Sequence, residues 1–378
     1  QMHMDDAIYA DESIYEYPMQ QGGGNDGRPY SFGRPSSGGS KAAYPCKSYG
    51  QGRINPAYFY GIFDPNDMRR DVSITMTGSN GKGVEKLIPF VPNSKAEGGG
   101  LTLNKWDENR QANPWVAAQR KSGINGPYMR MSEVYLGYAE VCAALGDVVT
   151  GKQYLKTVRE RSFPQGLADT DGFIASFGND LVRAIIEERG FEYAGEGDRR
   201  WTLIRSGYLP EDIKRIKDMT KAMMDGLATK GYYEFENGNI ISAYIWTKLV
   251  DAKTIYGHRL TAQCPMDKVN DPVLYPGWRG QKDNWEEMGL NYGSSTPATN
   301  LAIKGLFEIV SEEEAASLES QGYAKVNWGI DLVDYRDEYD KYLFWDYDYV
   351  SAPIYLWPFT PNVMAAGGFT NGYGFKQE

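Results

Sequence analysis

The chain has 378 residues, of which 41% are hydrophobic and 24% charged, as in globular proteins. Its 50 acidic residues outnumber its 40 basic ones and give a net charge of −10, which argues against a nucleic-acid-binding surface. No run of residues approaches the roughly 18 consecutive apolar residues of a membrane-spanning helix. Aromatic residues make up 13% of the chain, and their flat rings serve either core packing or stacking against sugars and peptides.

The three cysteines do not have the spacing of a metal site, and no metal or cofactor is predicted. Cys142 falls on the apolar stripe of a predicted helix and is expected in the core. Cys46 and Cys264 both lie beside prolines. They could form a disulfide, and the sequence leaves this open.

The start of the chain is predicted to contain a strand and a long loop. Residues 12–17, ESIYEY, alternate as in a short β-strand. From Pro18 to Gly52 the composition changes to Gly, Ser, Pro and Tyr, which favours a loop. This loop is either a disordered linker or a binding loop, since long loops in compact domains tend to be one or the other. Its recurrent aromatic residues support the second interpretation.

Two further segments resemble ligand-binding motifs only superficially. Residues 63–71, FDPNDMRRD, are rich in acids but lack EF-hand spacing, so we expect a turn with Asp–Arg pairs. Residues 78–86, GSNGKGVEK, suggest a phosphate-binding loop. Val84, however, occupies the place of the essential lysine, and a hairpin turn is predicted instead.

A helix pair is predicted over residues 128–162, the length of a TPR-type unit of about 34 residues. Asn125-Gly126-Pro127 is expected to start the first helix, and Thr150 to cap the second. The apolar face of the first helix is predicted to consist of Met131, Val134, Tyr135, Tyr138, Cys142 and Leu145.

A second helix pair is predicted from Asn179 to Gly207, with Asn179 capping its first helix and Asp198 its second. Additional helices are predicted over Glu211–Met224 and Thr296–Val310. The segment Gly231–Pro297 between them carries turn signals and short β-like runs such as IISAYIW.

The second helix pair contains a dense set of charged residues: Glu187, Glu188, Arg189, Glu192, Glu196, Asp198, Arg199 and Arg200. Paired carboxylates could act as acid and base on a glycosidic bond. Alternatively, the set is a structural ion cluster that holds one helix to the next. We favour the second interpretation, because most of these carboxylates have a cation at helical spacing. A catalytic acid would need an apolar, unpaired environment to raise its pKa.

The same stretch, AIIEERGFEYAGEGDRRWTLIRSG (residues 184–207), resembles the signature of the SusD/RagB family. The matching residues are Glu188, Arg189, Glu192, Glu196, Gly197, Arg199, Leu203, Arg205 and Gly207. Gly190 and Thr202 depart from it, at positions where a helix former and an acid are usual. ESIYEY, residues 128–147 and the C-terminal residues 352–375 also resemble family segments. In this family the signature is a packing element, and the ligand residues lie elsewhere.

The resemblance implies a mostly α, SusD-like α/α fold, in which TPR-like helix pairs hold a loop-rich, partly irregular ligand-binding face. Residues 1–127 are then expected to be a loop-rich segment with short strands. Residues 128–226 would hold the helix pairs, and residues 227–378 an irregular region completing the same domain.

The resemblance also implies a function. Family members are surface-exposed lipoproteins of the outer membrane that bind an oligosaccharide or polysaccharide without catalysis or cofactor and deliver it to a SusC-like TonB-dependent transporter. The lipid anchor and the first helical repeats are expected in an N-terminal part that this chain, starting at Gln1, lacks. Two alternatives remain: a RagB-like peptide-uptake protein and a glycoside hydrolase.

Ligand contacts are expected on aromatic loops away from the signature. The predicted contact residues are Tyr30, Tyr44, Tyr49, Tyr58, Tyr60, Trp278 and Trp285. Arg28, Arg34, Asn55 and Asp283 are close to them in sequence and are predicted to supply hydrogen bonds to sugar hydroxyls. Loops on a rigid helical scaffold are where such contacts usually occur.

Overall fold

The computed structural model describes residues 10–20, 54–79, 85–88, 90, 100–106, 123–251, 299–336, 359–368 and 370. Helices dominate these ranges, which confirms the mostly α fold predicted from the sequence. The helices are α1 Pro56–Ile62, α2 Arg69–Ser73, α3 Met131–Ala144, α4 Val148–Arg159, α5 Thr170–Ala175, α6 Leu181–Glu192, α7 Asp198–Ser206, α8 Leu209–Lys230, α9 Glu312–Ser320, α10 Trp328–Asp334 and α11 Pro361–Gly367. A search of the same ranges finds no helix long and apolar enough to cross a membrane.

The strands are short and form small antiparallel sheets. They are β1 Ser13–Tyr17, β2 Ile74–Thr75, β3 Thr77–Ser79, β4 Glu85–Leu87, β5 Thr102–Leu103, β6 Gly126–Arg130, β7 Tyr232–Glu234, β8 Ile240–Ser242, β9 Ile245–Asp251, β10 Thr299–Lys304 and β11 Ala324–Val326. Strand β1 pairs with β6, β2 with β5, β3 with β4 and β7 with β8, while β9 lies between β10 and β11. The strands predicted at residues 12–17 and in IISAYIW are thus confirmed.

One predicted helix is a strand. The helix expected over Thr296–Val310 is replaced by β10, which pairs with β9 and places Leu301 opposite Leu249. Leu301, Ala302 and Ile303 are all buried. A short, continuously buried apolar run has neither the alternation of a half-exposed strand nor a readable helical period, and this explains the wrong prediction.

Two hydrophobic clusters form the core. The larger lies between α1, α8, α10 and the three-stranded sheet, and includes Phe59, Met223 and Ile303. These three residues come from the three segments predicted at 1–127, 128–226 and 227–378, and the boundaries between those segments stay a prediction. The smaller cluster joins α3, α4 and α6 through Leu136 and Leu155 among others.

The first predicted helix pair is confirmed as α3 and α4, which pack against each other and against α6. However, α3 begins later than expected, because residues 126–130 form β6 and pair with β1. Asp147 caps α4 by accepting a hydrogen bond from the backbone N–H of Thr150, so Thr150 is not the cap itself.

The buried face of α3 also differs from the prediction. Cys142 is buried as predicted, but its buried neighbours are Ser132, Leu136 and Ala139, whereas Val134, Tyr138 and Leu145 are exposed. Ser132 lies inside because its hydroxyl accepts a hydrogen bond from Arg130 and bonds to the Tyr193 hydroxyl. The periodicity of apolar residues cannot detect a buried serine, so the prediction based on it placed the buried face one stripe away.

The second helix pair is confirmed as α6 and α7, with different caps. Asp180 caps α6 by accepting from the backbone N–H of Arg183, while Asn179 precedes it with a φ of 65°. Helix α7 starts after Gly197, whose φ of 95° is in the left-handed region that glycine tolerates best. Asp198 is therefore the first residue of α7, where a carboxylate is favourable.

The unusual glycine in α6 has a packing reason. A side chain at Gly190 would place its Cβ 2.8 Å from Nη1 of Arg199 and 3.2 Å from the hydroxyl of Tyr58. The Arg199 guanidinium lies over the helix here and donates to the carbonyl of Ile186 at 3.3 Å. Glycine thus allows the close approach of α7 to α6. In α3, by contrast, nothing lies within 4 Å of the Cβ position of Gly137.

These two glycines should respond oppositely to the same substitution. Gly137→Ala should raise the free energy of unfolding by about 0.5–1 kcal/mol, because alanine favours a helix and meets no neighbour. Gly190→Ala should lower it by roughly 1–3 kcal/mol, because the added methyl group displaces Arg199. Urea unfolding of both variants checks this, and stabilisation by Gly190→Ala would contradict the close approach.

Candidate functional site

Three glutamates four positions apart form the Glu188–Glu192–Glu196 row. Glu188 and Glu192 are buried on α6, and Glu196 follows the end of that helix and is partly buried. Arg69 Nη1 donates to Glu188 Oε1 at 2.7 Å and to Glu192 Oε2 at 2.9 Å. Arg159 Nη1 donates to the other oxygen of Glu188 at 2.9 Å. The partners thus come from outside the signature, and they fasten α2 and α4 to α6.

Cations also pair with the C-terminal half of the row. Lys105 Nζ donates to Glu196 Oε1 at 2.5 Å, and Arg130 Nη2 donates to the same oxygen at 3.0 Å. Arg130 and Arg161 both donate to Glu192 Oε1. Arg130 is the last residue of β6, so this contact fixes the end of the β1–β6 sheet against α6.

The electrostatics of the row oppose acid catalysis. Burial alone would raise the pKa of Glu192, but the charges of Arg130, Arg69, Arg161 and Lys105 outweigh it and hold this pKa well below its ordinary value. A general acid in glycoside hydrolysis needs a raised pKa. Among the described residues, no group of three or more His, Cys, Asp or Glu side chains has the arrangement of a metal site.

The structure places Arg199 outside this row, which corrects the predicted grouping. Arg199 Nη2 donates to Glu187 Oε2 at 3.0 Å and to Asp212 Oδ1 at 2.9 Å. Arg183 and Arg215 also pair with Glu187. Glu187 is next to Glu188 in sequence, and successive residues of a helix point about 100° apart, so the two carboxylates serve separate clusters.

We expect the row to be essential for stability. Glu192→Gln should lower the free energy of unfolding by roughly 3–5 kcal/mol, because it removes one of the anions that neutralise Arg69 and Arg130 in the interior. The matched control is Glu140→Gln, which breaks an exposed pair with Arg205 and should cost less than about 1 kcal/mol. Equal effects of the two substitutions in urea unfolding would contradict a structural role for the row.

Two of the predicted contact residues lie in the described part: Tyr60 is buried, and Tyr58 is partly buried against the larger core cluster. Tyr60 is 0% exposed, and its ring meets the ring of Phe307 edge-on at 4.9 Å. Desolvation, aided by the negative charge of Asp212 and opposed by the positive charge of Arg199, raises the pKa of Tyr58 to about 12. Tyr60 is therefore a core residue and offers no ring face to a ligand. Its position on α1 explains this, because α1 packs into the larger core cluster.

The polar candidate Asn55 also has a structural task. Its side chain caps α1 by accepting from the backbone N–H of Ala57 at 2.9 Å, and it donates to Thr220 at 2.7 Å. The other predicted contacts lie outside the described residues and stay predictions: Tyr30, Tyr44, Tyr49, Trp278, Trp285, Arg28, Arg34 and Asp283. The same holds for pairing of Cys46 and Cys264.

The burial of Tyr60 predicts a loss of stability on truncation. Tyr60→Ala should lower the free energy of unfolding by roughly 3–5 kcal/mol, as for other buried aromatic side chains. The exposed Tyr17→Ala should change it by no more than about 0.5 kcal/mol. Chemical denaturation measures both. A Tyr60→Ala variant as stable as the parent would return this residue to the list of ligand contacts.

An exposed aromatic surface lies on the β1–β6 sheet, and we call Tyr15, Tyr17 and Tyr128 the tyrosine strip. Their exposed fractions are 56%, 64% and 72%. Glu16, between the first two, is buried and accepts a hydrogen bond from Asn125 at 2.8 Å. The strand was predicted from the sequence, but the exposure of its tyrosines was not. The missed signal was the pair of tyrosines at alternate positions of ESIYEY.

A shallow cavity of about 350 Å³ lies beside β7, at the end of α8. It is lined by Lys230, Tyr232, Tyr233, Glu234, Phe235 and Glu236. It combines partly exposed aromatic rings with charges of both signs. The tyrosine strip is more exposed and carries no charge on its three rings.

Comparison with known proteins was informative at the level of the family. The model of the SusD family matches residues 7–358. The SusD-like protein P25 of Formosa agariphila is 28% identical over 160 residues, which are 42% of this chain and 26% of that protein.

Solved structures that match part of the chain include a SusD superfamily protein from Bacteroides vulgatus, with 19% identity and a TM-score of 0.38, covering 59% of this chain and 46% of that one. Another is surface glycan-binding protein A of Bacteroides thetaiotaomicron in complex with laminarihexaose, with 18% identity and a TM-score of 0.37, covering 55% and 46%. The chain spans less than half the length of each of these relatives.

Proposed function

Because the chain belongs to the SusD family, we propose that it binds oligosaccharides at the cell surface and delivers them, uncleaved, to an outer-membrane transporter. The single observation that carries this proposal is the family match over residues 7–358. The partner would be a TonB-dependent transporter of the SusC kind, and attachment to the membrane would be through a lipid anchor.

Two features of the molecule support binding without cleavage. The carboxylates most conspicuous in the sequence, Glu188, Glu192 and Glu196, are each paired with a cation, so they are not available as an acid–base pair. The tyrosine strip presents aromatic rings to solvent, and sugars stack their C–H faces on such rings. Binding needs no more than stacking surfaces and a few placed hydrogen-bonding groups.

We expect the purified chain to bind neutral oligosaccharides and to leave them intact. Isothermal titration calorimetry against a panel of hexasaccharides, including laminarihexaose, measures the binding. Prolonged incubation followed by a reducing-end assay measures cleavage. Release of new reducing ends at a rate above that of a heat-denatured sample would refute the non-catalytic part of the proposal. Preferential binding of mixed peptides would favour the peptide-uptake alternative.

Delivery to a transporter has its own test. A tagged copy expressed in its native host should retain a TonB-dependent transporter through detergent solubilisation of the outer membrane. The retained protein should be identified by mass spectrometry, with an equally abundant outer-membrane lipoprotein of another family as the control. Equal recovery of the transporter with the control would contradict a specific partnership.

A further inference from the structure

We propose that the tyrosine strip is a stacking site for a neutral oligosaccharide, separate from the loop residues predicted as contacts. This inference rests on the proposed function and assigns it to residues the structure describes. It starts from exposure: three large rings more than half exposed lie together on one small sheet. Ile14 and Met129 flank them and are also exposed. Contiguous exposed apolar surface of this kind commonly marks a binding site.

The rings have a geometry suited to a sugar. Tyr15 and Tyr17 are two residues apart on β1, and both rings are exposed while Glu16 between them is buried. The pairing of β1 with β6 is irregular on either side of Tyr15. The ring of Tyr128 on β6 stands at 89° to that of Tyr15, with 5.8 Å between centroids. One ring can therefore lie under the C–H face of a sugar while the other borders its edge. The exposed tyrosines also bring hydroxyl groups that can donate or accept hydrogen bonds.

The backbone under the strip is held in place. Asn125, just before β6, donates to Glu16 at 2.8 Å and accepts from the backbone N–H of Met19 at 2.9 Å, which ties the start of β6 to β1 and to the segment after it. Arg130, at the other end of β6, is bonded to Glu192 and Glu196. A ligand therefore meets rings on a fixed backbone and orders few groups on binding, which reduces the entropy cost.

The charges next to the strip favour a neutral ligand. Glu12, the residue before β1, accepts hydrogen bonds from Arg130 at 3.0 Å and from Arg161 at 2.9 Å. Each of these cations also pairs with Glu192, so neither is left to attract an anionic sugar. The strands are five residues long, and a standard protein interface needs about 800 Å² from each partner. The narrow strip suits an oligosaccharide chain better than a folded protein.

The test compares ring removal on and off the strip. Tyr17→Ala and Tyr128→Ala should each weaken binding of a neutral hexasaccharide about tenfold or more in calorimetry, as for stacked aromatic rings that contact a ligand. Tyr17→Trp should retain the affinity, because it keeps the stacking plane. The matched control is Trp201→Ala on α7, which removes another half-exposed ring and should bind like the parent. Unchanged melting temperatures show that the fold is intact.

The outcomes separate this inference from the proposed function. If the parent binds and every strip variant binds equally well, the strip is not the site, while oligosaccharide binding stands. If the parent binds none of the panel, both proposals fail. An anionic hexasaccharide that binds tighter than its neutral counterparts, and loses affinity with Tyr17→Ala, would overturn the neutral ligand class.

Discussion

The structure depends on neutralising carboxylates that have been removed from water. An isolated buried charge is so unfavourable that Glu188 and Glu192 can occupy the interior only with cations in contact. The fold supplies those cations from α2, from the end of β6 and from α4. Each element must therefore lie where its guanidinium reaches α6. The signature residues Glu188 and Glu192 therefore determine how these elements pack, and the signature concerns the fold more than ligand binding.

That requirement also fixes the position of the strand that carries Tyr128. Arg130 is both a partner of the row and the last residue of β6, so the ionic interior and the aromatic exterior share one strand. The charged side chains face inward and the tyrosines face outward. A substitution in the row could thus alter ligand binding without touching the ligand, by moving the sheet that carries Tyr128. Loss of binding alone does not identify a contact residue in such a molecule; stability must be measured beside it.

The local spacing of apolar and charged residues was enough to predict most helices. It was also enough to interpret the charged segment as structural. It failed where burial is decided by distant residues. Glu16 is buried because Asn125, 109 positions away, donates a hydrogen bond to it. The alternation of residues within ESIYEY cannot show which face of the strand is exposed to solvent. Ser132 is a similar case. The loop tyrosines were chosen for their composition, which cannot distinguish Tyr60, anchored in a helix, from rings that reach solvent.

The long sequence separations within the row have a consequence for the lifetime of the folded state. Arg69 and Glu192 are 123 positions apart, and Lys105 and Glu196 are 91 apart. Closing such loops precedes any gain from the contact, so these pairs form after the local helices. While the interior is still hydrated, water screens them and they contribute little to the folding barrier. Once water has been excluded from the interior, these ion pairs must be broken before the chain can unfold. Interactions that are absent from the transition state slow unfolding selectively. We therefore expect the ion pairs of the row to slow unfolding more than they speed folding, and so to prolong the lifetime of the folded state.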